Sequence, residues 1–136
     1  MAISVAIVTP TQEALSLECD EVVVPGVNGE IGLLPGHVPL ITALHPGVLT
    51  VVKDSKKSYF AVSAGFAEIE EDKVRILTAT CEAAGAIDVE RAKKKMADAE
   101  AKIVDLSPDT TGFADQQRRV RVNRARLNAA ERQRSN

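Results

Sequence analysis

The chain has 136 residues, of which 45% are hydrophobic, 26% charged and only 3% aromatic. This composition is typical of one soluble globular domain or of two very small ones. The longest uncharged run, Ile31–Val52, is interrupted by prolines and glycines, whereas a transmembrane helix needs about 20 continuous apolar residues. No basic stretch precedes an apolar run at the N-terminus, so we expect no signal peptide and no direct insertion into a membrane.

The net charge of −2 is the sum of two opposite regions. Residues 107–136 contain seven arginines against three acidic residues, a net charge of +4, so the rest of the chain carries −6. This asymmetry points to an acidic partner, an anion or a membrane surface near the basic part, and a solvated helix face is the simpler explanation. We do not expect nucleic acid as the partner, because the pI is near 5.7 and the aromatic residues needed for base stacking are almost absent.

Residues 1–84 are predicted to form an antiparallel β-sandwich. About nine short segments of β-branched or alternating residues are bounded by Gly, Pro, Asn, Asp or Ser, and no helical pattern intervenes. The tripeptide Glu71-Asp72-Lys73 is a polar hairpin connection between the last two segments. The predicted strands are Ile3–Val8, Ala14–Glu18, Glu21–Val24, Ile31–Leu34, Leu40–Leu44, Val48–Val52, Tyr59–Ser63, Phe66–Glu70 and Val74–Thr78.

Residues 85–136 are predicted to form an antiparallel helical hairpin. Asp88 is a good N-cap, and apolar residues then recur at helical spacing as far as Leu106. The segment 107–112 contains Pro and Gly and breaks the helix. A second, weaker series of seam positions follows: Phe113, Gln116, Val120, Asn123, Leu127 and Ala130.

The hairpin seam is rich in small residues, so it buries little apolar area and is expected to be marginally stable. Such a hairpin could open or move to another surface. An ordinary C-terminal hairpin that frays is the alternative.

The sequence contains no catalytic or metal-binding motif. The only histidines, His37 and His45, each lie in a Pro/Gly loop, and the only cysteines, Cys19 and Cys81, are far apart. The cysteines are expected to be reduced and buried. We therefore predict a protein that is not an enzyme, holds no metal and requires no cofactor.

The arginines of the second helix form one stripe. Arg118, Arg121, Arg124, Asn128 and Arg132 lie at helical spacings, so their side chains are expected to project together. Arginine interleaved with alanine on a helix favours a cluster of protein carboxylates or a nucleotide phosphate as the partner.

One segment is specific enough to indicate a family. The run Val24–Leu40, with the sequence V-P-G-V-N-G-E-I-G-L-L-P-G-H-V-P-L, resembles the signature of the ATP synthase epsilon subunit family, and Thr42–Leu44 and Pro46-Gly47 continue it. Ser63–Ile69 is similar to the glycine-containing strand pair of that family. The order of β domain and helical hairpin also agrees, so the resemblance covers essentially the whole chain.

The resemblance implies a non-catalytic rotor subunit of a bacterial F-type ATP synthase, bound peripherally at the cytoplasmic face of the inner membrane. Its sandwich would contact the gamma subunit and the polar loops of the c-ring, and would couple ion-driven ring rotation to ATP synthesis. By the same resemblance, Glu30 and His37 are interface residues toward the c-ring and gamma. An exposed turn carboxylate is the simpler explanation of Glu30.

The resemblance also implies a regulatory role for the hairpin. In bacterial relatives the hairpin folds down beside the sandwich or extends along gamma, and the extended form blocks ATP hydrolysis. Basic residues of the second helix then meet acidic residues of the catalytic alpha and beta subunits. The residues that fit this inhibitory role are Arg118, Arg121, Arg124 and Arg132.

An ATP-sensing regulatory module is the alternative function that the resemblance implies. The segment Ile87–Ala92 matches the I/L-D-x-x-R-A motif of relatives that bind ATP. Val122 stands where some of those relatives carry arginine, and displacing an arginine by one residue rotates its side chain by about 100°. We therefore expect ATP binding to be weak. The candidate residues are Ile87, Asp88, Arg91, Ala92, Arg124 and Arg126. A helix cap with a local Asp–Arg pair is the simpler explanation of the motif.

Overall fold

A computed structural model describes residues 2–135. Within this part of the chain, ten β-strands are followed by a short 3₁₀ turn at Ala84–Ala86 and by two α-helices. The strands are β1 (Ile3–Val8), β2 (Glu13–Cys19), β3 (Glu21–Gly26), β4 (Gly29–Leu33), β5 (Leu40–Leu44), β6 (Gly47–Lys53), β7 (Lys56–Val62), β8 (Gly65–Glu70), β9 (Lys73–Thr78) and β10 (Cys81–Ala83). The helices are α1 (Val89–Ile103) and α2 (Thr111–Ser135).

The strands form a continuous sheet in the order β10-β7-β6-β3-β5-β8-β9-β1-β2, and β4 pairs with β3. The predicted fold class, a β-sandwich followed by a helical hairpin, is confirmed. The sequence did not indicate that β1 runs parallel to β9, because strand direction is set by tertiary pairing. It also did not predict β10, since a strand of three residues is too short to show alternation.

The core of the sandwich is aliphatic, as the alternation along the strands predicts. In β9, Val74 and Ile76 are buried while Lys73 and Arg75 are exposed, which is the two-residue period of a strand with one face in the core. At Gly65, a Cβ atom would lie 1.9 Å from the backbone oxygen of Leu77. Only glycine therefore lets β8 approach β9 at this point.

The first helix begins at the predicted cap. The Asp88 carboxylate accepts a hydrogen bond from the backbone N–H of Arg91 at 3.0 Å, which satisfies one of the free donors of the first turn. Between the helices, the Ser107 hydroxyl donates to Asp109 at 2.6 Å, and this bond lowers the pKa of the Asp109 carboxyl. The Thr110 hydroxyl accepts from the N–H of Phe113 at 3.2 Å and caps the start of α2.

The second helix is buried on two sides, one against α1 and one against the sandwich. The sequence predicted only the side against α1. The predicted seam positions Val120, Asn123 and Ala130 are buried, and α2 contacts α1. Ala125 and Ala129 are buried as well and pack against β6 and β7. Helix α2 therefore docks the hairpin on one outer face of the sandwich.

Candidate functional site

Glu30 is the second residue of β4, one position after the two-residue turn that joins β3 to β4, and it lies opposite Pro25 of β3. Its carboxylate is 54% exposed, and its Oε2 atom lies 3.6 Å from Nη1 of Arg132. The residue predicted for the c-ring interface thus touches a residue of the predicted inhibitory stripe. The sequence did not indicate this contact, because it depends on the docked position of α2.

His37 lies in the loop between β4 and β5. The loop is tied to the β8–β9 turn, where the N–H of Gly36 donates to Oδ1 of Asp72 at 2.7 Å. Leu34 and Val38, on either side, are 50% and 70% exposed. Within residues 2–135, no hydrogen bond or ion pair joins His37 to Glu30. Glu30 lies within β4, whereas His37 lies in the loop that follows this strand.

The outer face of the sheet around β5, β8 and β9 carries a row of exposed apolar side chains. Ile41, Phe66 and Leu77 are 72%, 58% and 46% exposed. Phe66 lies opposite Leu77 in the β8–β9 register and opposite Ala43 in the β5–β8 register. Ile41 shares that face, because it is two residues from Ala43 on the same strand. We call Ile41, Phe66 and Leu77 the apolar row.

A small cavity beside the N-terminus of α1 brings together most of the predicted nucleotide residues. It measures about 270 Å³, close to the lower end of ordinary ligand pockets. Arg124 is not in its lining. The residues that line the cavity, which we call the cap pocket, are Glu82, Ala86, Ile87, Asp88, Arg91, Ala92, Lys95 and Arg126.

Arg126 joins the cap pocket to the sandwich through an ion pair. Its Nε donates to Oε1 of Glu82 at 2.6 Å, and the side chains are only 22% and 36% exposed. Its Nη1 donates to Oδ1 of Asn123 at 2.9 Å. The Asn123 amide in turn donates to the carbonyl of Arg119 at 2.8 Å. The arginine expected to meet a nucleotide therefore already has a carboxylate partner, which lies 44 positions away in the sequence.

The predicted arginine stripe is divided by the fold. Arg121, Arg124 and Arg132 line a groove of about 620 Å³ between α2 and the loops of the sandwich. Arg118 pairs instead with Asp115 at 2.8 Å and lines the groove between α1 and α2. The ion pair with Asp115, one turn away on the same helix, draws the Arg118 side chain away from the others.

Both cysteines are free; Cys19 is buried and Cys81 is partly buried. Burial, reinforced by the neighbouring carboxylate of Glu82, raises the pKa of the Cys81 thiol to about 11. In the described part of the chain, no group of three or more metal-ligating side chains converges. No helix within residues 2–135 has the length and apolar character to span a membrane.

Fold and sites together define a two-part interaction protein: a sandwich with a bare apolar face, and a docked hairpin with clustered arginines. The sequence model described as "ATP synthase, Delta/Epsilon chain, beta-sandwich domain" matches residues 2–84. The chain therefore belongs to the ATP synthase delta/epsilon chain family, as the signature in Val24–Leu40 predicted.

Curated relatives agree over almost the whole length. The chain is 42% identical to the ATP synthase epsilon chain of Anaeromyxobacter dehalogenans strain 2CP-C over 97% of this chain and 100% of that one. It is 38% identical to the ATP synthase epsilon chain of Myxococcus xanthus strain DK1622, over 94% of each chain. The similarity thus includes the hairpin as well as the sandwich.

Solved structures show the same architecture. A chain in the cryo-EM structure of the Euglena gracilis mitochondrial ATP synthase, OSCP/F1/c-ring in rotational state 1, is 26% identical with a TM-score of 0.82, over 96% of this chain and 81% of that one. A chain in the central stalk and c-ring of the Tetrahymena thermophila mitochondrial ATP synthase has a TM-score of 0.63 at 16% identity, over 93% of this chain and 95% of that one. The second likeness concerns the fold alone.

Proposed function

We propose that this chain is a rotor subunit of the central stalk of an F-type ATP synthase, which couples rotation of the c-ring to ATP synthesis without performing catalysis itself. Its partners are the gamma subunit, the c-ring and the catalytic alpha and beta subunits. Its place is the cytoplasmic face of a bacterial inner membrane, as a peripheral protein. Near-complete similarity to epsilon chains supports this proposal.

The structural observation that carries the proposal is the apolar row. The hairpin covers one face of β6 and β7, whereas Ile41, Phe66 and Leu77 on β5, β8 and β9 remain exposed. Contiguous exposed apolar side chains mark interaction surfaces in soluble proteins. We assign the apolar row to the gamma subunit, and Glu30 of β4 and His37 of the loop after it to the interface with the c-ring and gamma.

Copurification tests this assignment. Phe66→Glu introduces a charge into the apolar row and should abolish copurification of the chain with gamma and the c-ring, because a buried unpaired carboxylate is costly. Val104→Glu is the matched control, since Val104 is 82% exposed near the end of α1, and it should leave copurification unchanged. Normal assembly of the Phe66→Glu chain would contradict the docking surface, and failure of the unmodified chain to bind gamma and the c-ring would contradict the rotor role.

The hairpin, residues 85–136, is the regulatory part of the proposed function, and the sandwich, residues 1–84, is the assembly part. The docking of the hairpin depends on alanines such as Ala125 and Ala129, which contribute little burial energy. We propose that the hairpin leaves the sandwich and that its arginines then restrain ATP hydrolysis at the catalytic subunits. Deleting residues 87–136 should leave assembly intact and raise ATP hydrolysis, and unchanged hydrolysis would contradict an inhibitory role.

The cap pocket favours a second candidate function, ATP sensing. It gathers Asp88 and Arg91 of the predicted motif with Arg126 of α2, although Glu82 already pairs with Arg126. The small cavity and this ion pair both favour weak binding. Titration with ATP should give saturable binding that Arg91→Ala abolishes, and the absence of binding at millimolar ATP would reject this candidate.

A further inference from the structure

We infer that Asp72 is a positioning residue, which holds the loop of residues 34–39 in the shape that meets gamma and the c-ring. This loop, which we call the histidine loop, joins β4 to β5 and carries His37. The inference rests on the proposed function, because it concerns how a surface assigned to these partners is kept in place. The sequence predicts Asp72 only as part of a polar hairpin connection.

The backbone of the histidine loop forms a tight turn that leaves one donor free. The N–H of His37 donates to the carbonyl of Leu34 at 3.1 Å, and Gly36 has a φ of 82°. A proline followed by a glycine with positive φ is typical of the two central positions of a type II turn. The single hydrogen bond of such a turn joins its first and last residues, so it does not use the N–H of Gly36.

Asp72 accepts a hydrogen bond from this free donor. Its Oδ1 atom lies 2.7 Å from the backbone nitrogen of Gly36, which makes a short, charge-assisted hydrogen bond. The backbone carbonyl of Asp72 also accepts from the N–H of Ser4, in β1, at 3.0 Å. Within residues 2–135, no other hydrogen bond joins the histidine loop to a distant part of the chain. Asp72 therefore connects this loop with the sheet.

The conformation of the histidine loop decides which groups are available to a partner. The exposed apolar side chains of Leu34 and Val38 lie on either side of His37. Nδ1 of His37 lies 2.6 Å from the carbonyl oxygen of Val38, and because a carbonyl can only accept, this nitrogen carries the proton. Nε2 is then the ring nitrogen that remains for a partner. A loop that is already held in its bound shape lowers the entropic cost of binding.

The turn that contains Asp72 offers a way to separate positioning from stability. Glu71 and Asp72 join β8 to β9 with φ values of 50° and 61°, a left-handed conformation that glycine adopts more easily. Asp54 and Ser55 join β6 to β7 in the same way, with φ values of 51° and 65°. Within residues 2–135, the Ser55 side chain forms no hydrogen bond. Ser55 is therefore the matched position for Asp72, with similar backbone geometry and no loop to hold.

Glycine substitutions at the two matched positions test the inference. Asp72→Gly removes the carboxylate but relieves the left-handed conformation, so the midpoint of denaturant unfolding should not fall below that of the unmodified chain. The affinity of the full-length chain for gamma and the c-ring should nevertheless fall about three- to tenfold, as expected for one lost hydrogen bond. Ser55→Gly should leave this affinity within about twofold. Unchanged affinity of the Asp72→Gly chain, or equal losses in the two variants, would overturn the inference.

Amide hydrogen exchange measures the histidine loop directly in the full-length chain without its partners. The Gly36 amide should exchange about three- to tenfold faster in the Asp72→Gly chain, because its acceptor is lost. Ser55→Gly should leave this rate unchanged. An unchanged rate in the Asp72→Gly chain would overturn the inference.

A conservative variant distinguishes positioning of the loop from direct contact with a partner. Asp72→Asn keeps an oxygen that accepts from the Gly36 N–H, and asparagine tolerates the left-handed conformation. This variant should therefore recover most of the affinity that Asp72→Gly loses, together with the slow exchange of the Gly36 amide. If Asp72→Asn binds as weakly as Asp72→Gly, the charge of Asp72 acts on the partner itself and the positioning role is wrong.

A double-mutant cycle with His37→Ala shows whether Asp72 acts through the histidine loop. The loss of affinity in the double variant His37→Ala/Asp72→Gly should be smaller than the product of the two single losses, because both substitutions affect the same contact. Fully independent losses would overturn the inference. Failure of the unmodified chain to bind gamma and the c-ring would instead contradict the proposed function, and the exchange rate of Gly36 would still decide whether Asp72 holds the loop.

Discussion

The sandwich and the docked hairpin differ in the kind of contact that holds each together. The sandwich core contains large aliphatic side chains with almost no exposure, such as Ile7, Leu49 and Ile76, whereas the hairpin buries mainly alanines, such as Ala92, Ala99 and Ala129. Fully burying an isoleucine contributes about 1.5–3 kcal/mol, and an alanine methyl contributes less than about 1 kcal/mol. The comparison shows a tightly packed sandwich that carries a weakly attached helical hairpin.

The largest expected effect concerns the sandwich core. Ile76→Ala should reduce the free energy of unfolding by about 2–5 kcal/mol, because it removes buried methyl groups and leaves a cavity. Denaturant unfolding measures this change. Leu77→Ala is the matched control, since Leu77 is the next residue and is 46% exposed, and its effect should be much smaller. Similar losses for the two variants would contradict the picture of a tightly packed core.

The second effect concerns β10, the strand that lies between the rest of the sandwich and the hairpin. The alkylation rate of Cys81 measures how often this strand opens. Since the pKa of the Cys81 thiol is raised from 9.0 to about 11, the folded chain holds very little thiolate at pH 8.5. Alkylation of Cys81 should then be on the order of 100-fold slower in the folded than in the unfolded chain. Rapid alkylation of the folded chain would show that β10 opens frequently.

The same raised pKa has a consequence for stability. Above pH 9 the unfolded chain releases the Cys81 proton, while the folded chain keeps it until about pH 11. The folded state therefore binds more protons than the unfolded state in this window, and stability falls as the pH rises through it. Unfolding measured from about pH 8 to about pH 11 should show this decline, and the substitution Cys81→Ala should reduce the slope.

Several features of the sandwich and the hairpin could be predicted from the sequence, because each depends on residues that are close together in the chain. Alternation placed the strands, the cap at Asp88 placed the start of α1, and the signature in Val24–Leu40 indicated the family. Contacts between distant elements could not be predicted. The Glu82–Arg126 and Glu30–Arg132 pairs and the burial of Ala125 and Ala129 exist only because α2 lies on the sandwich.

The candidate site also has features that the sequence predicts and features that depend on the fold. The motif in Ile87–Ala92 could be recognised because its four specified residues lie within one short segment. Those four residues, Ile87, Asp88, Arg91 and Ala92, line one pocket. Arg124 was expected beside Arg126, but the helical rotation of about 100° per residue places it in the groove between α2 and the loops of the sandwich instead. Arg118 was expected in the stripe and pairs with Asp115. Spacing in the sequence predicts only which face of α2 an arginine lies on. The direction in which its side chain points depends also on the residue with which it pairs.

The third effect concerns the ion pair between hairpin and sandwich. Glu82→Gln should weaken docking by about 1 kcal/mol, because it removes a partly buried, charge-assisted hydrogen bond to Arg126. Amide hydrogen exchange in α2 should become faster while exchange in the sandwich core remains unchanged. Asp115→Asn is the control, because its pair with Arg118 lies within α2 and is exposed. Equal acceleration in both variants would show that the Glu82 pair does not hold the hairpin.

The smallest effect concerns the exposed pair of Glu30 and Arg132. Its separation of 3.6 Å and its exposure place its contribution to docking below about 0.5 kcal/mol. Glu30→Gln should therefore change hydrogen exchange in α2 only slightly, and the difference should disappear in high salt because exposed charges are screened. If Glu30→Gln instead released the hairpin as strongly as Glu82→Gln, the turn that carries Glu30 would be a principal anchor of the hairpin. The docking of the hairpin would then depend on the same carboxylate that we assign to the c-ring interface, and the hairpin and the c-ring would compete for Glu30.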